Sequence, residues 1–288
     1  MGVEVKTLPC LGRLGYCIVL AVSVMGSAQT PAPPANDTAV QAAQTVIGKS
    51  LFLRNFYSNN ELKYDADGRI QGSPGVTDWT LAAVDVQRVE RKGPAELELD
   101  GVRVAVRYNP DAHEFQRHPQ KEAAVHIVLA DPKSAKGVEN ALGAIFSYGI
   151  DPALQRSMPE YWRHYFDPSQ GWPNDGLGGQ TIYLLFGQAG EPKDVTPPKP
   201  EHMAEPKFTA AAERDKVQGS VVMRVVVDAT GTPRRVWLAA PLGYGLDQQA
   251  VDAVMKWKFT PAMRNGTAVP AGVLVEQKFV LQPAPPRR

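Results

Sequence analysis

The chain has 288 residues, 31 basic against 30 acidic side chains, a formal net charge of +1, 43% hydrophobic and 21% charged residues. That length supports one large domain or two smaller ones, and the composition is that of a folded chain, which excludes wholesale disorder. Near-neutral charge leaves no electrostatic footprint for nucleic acid, and two cysteines, Cys10 and Cys17, are too few for a disulfide scaffold.

Lys6 and Arg13 precede an apolar run from Leu14 to Met25, and Gly26-Ser27-Ala28 follows with small side chains. A basic start, a short greasy core and small residues are the order of a secretory signal peptide, so residues 1–28 read as one, cleaved after Ala28. The apolar run has twelve residues, short of the roughly 20 that a spanning helix needs. Retention as an uncleaved anchor is the alternative. Cleavage would remove both cysteines and with them thiol catalysis and thiolate metal binding. Residues 29–37 then read as a flexible, Pro-Ala-rich lead-in.

Pro192, Pro197, Pro198, Pro200 and Pro206 mark residues 191–206 as a proline-rich linker. The linker predicts a strand-rich α+β domain over 38–190 and a smaller domain over 207–282, with a flexible tail at 283–288. Charge divides at the same place. Residues 206–288 hold 12 basic and 6 acidic side chains, net +6, so a mature chain of zero net charge leaves −6 on residues 29–205.

In the first domain a helix is predicted from Thr38 to Ile47. Gly48-Lys49-Ser50 resembles the end of a phosphate loop, but the earlier glycine is missing from Ala42-Ala43-Gln44-Thr45. Leu62–Tyr64 reads as a short strand and Asp65-Ala66-Asp67-Gly68 as a tight turn, not a calcium loop, because the later ligands are missing. Strands are expected at Trp79–Val89, Ala95–Leu99, Val102–Tyr108 and Ala123–Leu129, with Asp100-Gly101 as a hairpin turn between the second and third. A helix over about 131–147 would bury Val138, Leu142 and Ile145. The aromatic run Glu160–Phe166 reads as a helix closing a core. His113, His118, His126, His164 and His202 form no close ligand pair, no nucleophile motif is present, and the chain reads as a non-enzyme without a cofactor or metal.

The second domain parses as helix, strand, strand, helix, strand. Thr209–Asp215 is a short helix, Ser220–Asp228 a valine-rich central strand, and Arg234–Ala239 its hairpin partner. Asp247 is expected as the N-cap of a helix burying Ala250, Val251, Val254 and Met255. Trp257 and Phe259 continue the buried pattern up to Pro261. A last strand over Gly272–Leu281 places Val273, Val275, Phe279 and Leu281 on one face, and Glu276 and Lys278 on the other.

Gly219-Ser220-Val221-Val222, Gly231, Leu246-Asp247-Gln248-Gln249-Ala250-Val251, Trp257-Lys258-Phe259-Thr260-Pro261-Ala262, Gly266, Val269 and Phe279-Val280-Leu281 together resemble the C-terminal domain of TonB-family energy transducers, over about residues 203–282. The resemblance implies a periplasmic domain of two helices on a three-stranded antiparallel sheet. It implies docking of a peptide from an outer-membrane TonB-dependent receptor, or of another envelope protein, as an added strand at the edge carrying Val273, Val275, Gln277 and Phe279. Gly219, Gly231, Leu246, Asp247, Trp257, Phe259 and Pro261 would be frame residues. The family's force transduction also needs a membrane helix coupled to a proton-driven inner-membrane partner complex and a long spacer. The short apolar run and short proline stretch depart from that pattern. Two readings follow: participation in TonB-dependent transport, or a non-transducing envelope adaptor built on the same fold.

Overall fold

The computed structural model describes residues 37–281 apart from Asn174. Residues 1–28, read above as a signal peptide and holding both cysteines, the expected lead-in before Asp37 and the tail at 283–288 lie outside the described residues.

Asp37 caps the first helix, α1 (Thr38–Gln44), its carboxylate accepting from the Val40 N–H at 3.1 Å. The strands β1 (Leu51–Leu53), β2 (Glu61–Tyr64), β3 (Ala83–Arg91), β4 (Glu96–Asn109) and β5 (Glu114–Val128) follow, then α2 (Ala135–Ile145) and β6 (Phe146–Tyr148). They build a six-stranded sheet in the order β2-β5-β4-β3-β1-β6, in which β2 runs parallel to β5 and the other pairs are antiparallel. The helix periodicity is met in α2, where Val138, Ala141, Leu142 and Ile145 are buried. They join Ala39, Val40 and Ala43 of α1 and Leu97, Leu99, Val125 and Ile127 of the sheet in one core.

Two expectations fail in this sheet. Trp79–Leu81 is a turn of 3₁₀ helix capped by Asp78, and the strand begins only at Ala83. Asp100-Gly101 makes no hairpin: β4 runs straight through it, and the hairpin turn falls at 110–113 instead. The missing side chain of Gly101 explains the difference. Its Cα lies against the Asp85 carbonyl, where a Cβ would collide, beside a register shift between Val86 and Arg88. A glycine here permits close strand approach at a bulge and no reversal. A second shift, between Val102 and Val104, puts its extra residue in β5, so β4 keeps its alternation, with Leu97 and Leu99 buried on one of its faces and Val104 and Val106 on the other. The latter pair faces a different core.

That second core is shared with the C-terminal elements. After α3 (Pro152–Ser157) and α4 (Glu160–Phe166) come β7 (Tyr183–Leu185), β8 (Val195–Thr196), β9 (Lys199–His202), α5 (Ala210–Arg214), β10 (Gly219–Val227), β11 (Pro233–Ala240), α6 (Leu246–Val254), β12 (Lys258–Thr260), β13 (Ala262–Arg264), β14 (Thr267–Val269) and β15 (Ala271–Phe279). Trp79, Val104, Val106 and Trp162 pack in one cluster with Val221, Met223, Val225, Leu246, Val254 and Phe279. Backbone joins the halves as well: Tyr108 N–H donates to Leu242 O at 3.1 Å and Tyr244 N–H to Val106 O at 2.9 Å. The described residues accordingly form one compact α+β unit.

The proline-rich 191–206 stretch is not an open linker. Its β8 pairs with β13 and its β9 with β12, both antiparallel. Pro200 sits opposite Phe259 in a two-stranded pair, an edge position where proline is tolerated. The last sheet also departs from expectation: β11-β10-β15 are antiparallel as read, but β7 adds a fourth strand, parallel to β15.

Candidate functional site

β15 is a strand because its pattern alternates. Val275 and Phe279 are buried, Val273 and Gln277 are half-buried, and Leu274, Glu276 and Lys278 are exposed. Along one side it pairs with β10 over its whole length, from Ala271 opposite Val227 to Phe279 opposite Gly219. The side chains expected at the docking edge therefore belong to the packed row. Val275 and Phe279 lie in the shared core, Val273 packs against it, and Phe279 meets Phe208 edge-on at 5.4 Å. What this strand can offer a partner is backbone.

On its other side β15 carries β7 over Ala271–Val273 only, and the Tyr183 N–H donates to Pro270 O at 3.1 Å. Residues in a strand alternate in the direction of their amides, so Gly272 and Leu274 turn theirs toward β7, and Glu276 and Lys278 turn theirs to the same side beyond its end. Among the described residues no strand pairs with that stretch, and Leu274 is 45% exposed beside it. Glu276 is held by the Ser220 hydroxyl, which donates to its carboxylate at 2.6 Å.

The frame residues come together around α5, α6 and the hairpin. Gly231 has φ +80° and lies against the Phe259 carbonyl with no room for a Cβ; Phe259 N–H donates to Gly231 O at 3.0 Å. Asp228 closes the same hairpin, accepting from Thr230 N–H at 2.8 Å, Thr232 N–H at 3.0 Å and Arg234 Nε at 2.6 Å. Burial pushes its carboxyl up, but the Thr230 hydroxyl, which donates to it at 2.6 Å, and these bonds outweigh burial and hold it at about 2. Trp257 and Phe259 are buried, and the Trp257 Nε1–H donates to Ala204 O at 2.8 Å, fixing the chain just before α5. Gly219 opens β10 against Leu242, Leu246 is fully buried, and Pro261 is half-buried between β12 and β13.

Asp247 corrects the reading of its helix. It is not the N-cap: α6 starts at Leu246 behind Gly245, which has left-handed φ of 71°. The Asp247 carboxylate instead reaches backward and accepts from Leu242 N–H at 2.8 Å and Gly243 N–H at 2.7 Å. Gly245 N–H donates to Thr80 Oγ1 at 2.8 Å, and Thr80 Oγ1 donates to Asp78 at 2.5 Å. Trp162 Nε1–H also donates to Asp78, at 3.1 Å. Burial and the neighbouring Asp78 raise the Asp247 carboxyl to about 7 against the pull of its two backbone donors. Burial likewise raises Asp78. This polar network sits where residues 38–190 meet the C-terminal elements, and only a long-range contact map would have located it.

Elsewhere His126 and His164 behave as packed side chains, while His113 and His202 are exposed. His126 Nδ1 lies 3.1 Å from Glu96 Oε1, and His164 stacks on Trp172 at 3.7 Å. Among the described residues no group of three or more His, Cys, Asp or Glu is placed to hold a metal. No helix among them is long and apolar enough to cross a membrane. The residues missed by sequence reasoning are Tyr183, Leu185 and Phe186 of the β7 run, whose apolar character was the available signal.

Residues 204–281 match the family model of the Gram-negative bacterial TonB protein C-terminal. Protein tonB2 of Pseudomonas aeruginosa is 38% identical over 81 residues, 28% of this chain and 30% of that protein. Protein TonB of Xanthomonas campestris pv. campestris is 38% identical over 82 residues, 28% of this chain and 37% of that protein. The solution NMR structure of Pseudomonas aeruginosa TonB CTD is 20% identical, covers 34% of this chain and 93% of that one, and superposes with a TM-score of 0.26. The chain spans about a third of the length of the curated relatives it matches. Over residues 204–281, with Leu246-Asp247 and Trp257-Lys258-Phe259-Thr260-Pro261 in place, the chain matches the TonB C-terminal family.

Proposed function

We propose that the chain is a periplasmic or envelope protein-binding protein, and not an enzyme, which docks an extended peptide of a TonB-dependent outer-membrane receptor as a strand added to β15. The observation that carries this reading is the backbone edge beyond Val273, where Glu276 and Lys278 direct amides away from β10 with no strand opposite among the described residues. An unpaired strand edge is a template for an incoming strand, with main-chain hydrogen bonds supplying affinity. The family match of residues 204–281 supports the identity of the partner. In this reading α5 and α6 on β10, β11 and β15 are the docking frame. Val273, Val275, Gln277 and Phe279 hold the strand in place while its backbone does the binding.

A second reading, an envelope adaptor that transduces no force, is favoured by one observation: residues 38–190 share a core with the docking frame. A frame built into a larger body is suited to linking partners, and this reading needs no proton-driven inner-membrane complex.

Calorimetric titration of the full chain with peptides from receptor plug segments tests the docking reading. Lys278→Pro removes an amide that β10 does not use, so the fold should keep its melting midpoint while binding weakens about tenfold, the value of one main-chain hydrogen bond to a partner. Absence of binding by every plug peptide, or equal binding by Lys278→Pro, would contradict it.

A further inference from the structure

The docking edge is already partly occupied, by the chain's own β7. Three residues, Tyr183–Leu185, pair in parallel with Ala271–Val273, one third of β15. The strand is held at both ends by side chains and not by length. Tyr183 Oη meets Arg264 Nη1 at 2.7 Å, the Arg264 guanidinium lies 5.0 Å from the Tyr183 ring, and Arg264 Nε is anchored on Asp194 at 2.7 Å. Phe186 lies edge-on to Trp237 at 5.9 Å, with the Arg224 guanidinium 5.6 Å from its ring centre. Gly272 makes room for this arrangement, since a Cβ there would meet Phe186 at 2.9 Å and Leu184 at 3.0 Å.

One face of the seat is shallow, while on the other Tyr183 and Leu185 pack against Val195, Ala262 and Ala271. Leu184 is 50% exposed and stands near Leu274, itself 45% exposed. Left-handed glycines flank the run, Gly176 and Gly179 before it and Gly187 and Gly190 after it. A three-residue ladder between such loops belongs to the low-stability end of a fold, where local opening is easiest. A longer strand in the same direction would replace its bonds to Gly272 and Leu274 and add those of Glu276 and Lys278.

We propose that β7 is a resident strand on the partner-binding edge of β15, and that the partner is an extended peptide with an aromatic–apolar–apolar stretch that runs parallel to β15, displaces β7 and continues the ladder toward Phe279. This rests on the strand-addition reading of β15. It adds the partner's direction, its side-chain character and a built-in competitor. If β7 is seated nine-tenths of the time, the partner's apparent affinity falls about tenfold below that for the open edge.

The probe is a labelled peptide of the chain's own residues 181–187, Thr-Ile-Tyr-Leu-Leu-Phe-Gly. Leu185→Pro takes away the amide that the parallel register directs at Gly272 O and so disables resident β7 in the full chain. Fluorescence anisotropy should show the probe binding Leu185→Pro at least about tenfold tighter than the unaltered chain, with amide exchange slowed only when probe is bound: at Glu276 by the 181–187 probe, and at Lys278 as well by a probe extended to Gly190, whose Ala189 carbonyl falls in register with the Lys278 amide. Should Leu185→Pro fail to fold, the double variant Tyr183→Ala/Phe186→Ala loosens the clasp with all backbone amides kept, and the same increase is expected. Equal affinity for variant and unaltered chain, or no protection at Glu276 with either probe, overturns the proposal. A receptor plug peptide is run beside the probe. Probe binding without plug-peptide binding leaves the resident strand standing and removes the receptor. Plug-peptide binding that ignores the β7 variants does the reverse.

Discussion

Replacing Trp162 tests whether the two halves of the described chain are one folding unit. The indole is fully buried, packs edge-on against Trp79 at 5.1 Å and against Tyr165 at 5.4 Å, and donates to the buried Asp78 carboxylate at 3.1 Å. Deleting a buried Trp ring costs about 3–5 kcal/mol. Loss of a hydrogen bond to a buried carboxylate costs about 1.5–3 kcal/mol, and the two overlap, so Trp162→Ala should cost about 5 kcal/mol. That is a large share of the roughly 5–15 kcal/mol that holds a domain together. Trp162→Phe keeps most of the ring and loses the N–H, so about 1.5–3 kcal/mol is expected. The assay is urea unfolding followed by resolved amide signals of Val125 in β5 and Val225 in β10. Because Trp162 shares a cluster with Val225, both signals should report one transition, displaced equally by the mutation. A shift confined to Val125, with Val225 melting as before, would refute the shared core.

Trp257→Ala should cost about 3–5 kcal/mol in the same melts, with a cost under about 1 kcal/mol removing it from the core. Gly231→Ala should destabilise the hairpin and β12 together, because a Cβ there meets the Phe259 carbonyl at a left-handed φ; an unchanged melting midpoint would show that the turn relaxes. Asp247, at about 7 folded against an ordinary 3.8, keeps a proton in the native state that the unfolded chain has lost. Its contribution is therefore full below about pH 4 and falls as pH rises toward 7, and Asp247→Asn should flatten that slope without removing the acid limb. The acid limb has the opposite sign. Asp151, where burial is outweighed by bonds from Ser147, the Leu154 N–H and Arg54, and Asp228, each about 2 in the fold, contribute stability above about pH 4 that is lost as pH falls toward 2. Urea melts at a series of pH values separate the two slopes, and a variant with an unaltered slope between pH 4 and 7 would remove Asp247 from the account.

What the sequence made legible were elements whose signal is local and long. α2, β10, β11, α6 and β15 follow from periodicity in Val138–Ile145, Val221–Val227 and Val273–Phe279, and the family resemblance follows from the spacing between them. The misreadings arise where a distant partner decides. Asp100-Gly101 has hairpin chemistry, yet the Asp85 backbone packed against Gly101 makes it a bulge site. Asp247 has cap chemistry, yet its carboxylate is spent on the Leu242 and Gly243 N–H groups, in the loop whose Leu242 carbonyl and Tyr244 N–H bond β4. Strands of two to four residues such as β7, β8 and β9 exist because β15, β13 and β12 pair with them. Nothing within Val195–His202 specifies a strand, since its prolines disfavour one. The candidate edge was legible by place. That its side chains are core, and that β7 lies on its first third, required the register.

The central claim is that β15 receives an added strand. Its most direct measurement is the amide chemical-shift map of the labelled full chain titrated with a receptor plug peptide. Strand addition should give saturable shifts concentrated at Gly272, Leu274, Glu276 and Lys278, with release of the Tyr183–Leu185 signals from their paired positions. Saturable binding that leaves Glu276 and Lys278 unmoved, or no shift along β15 at all, would contradict it.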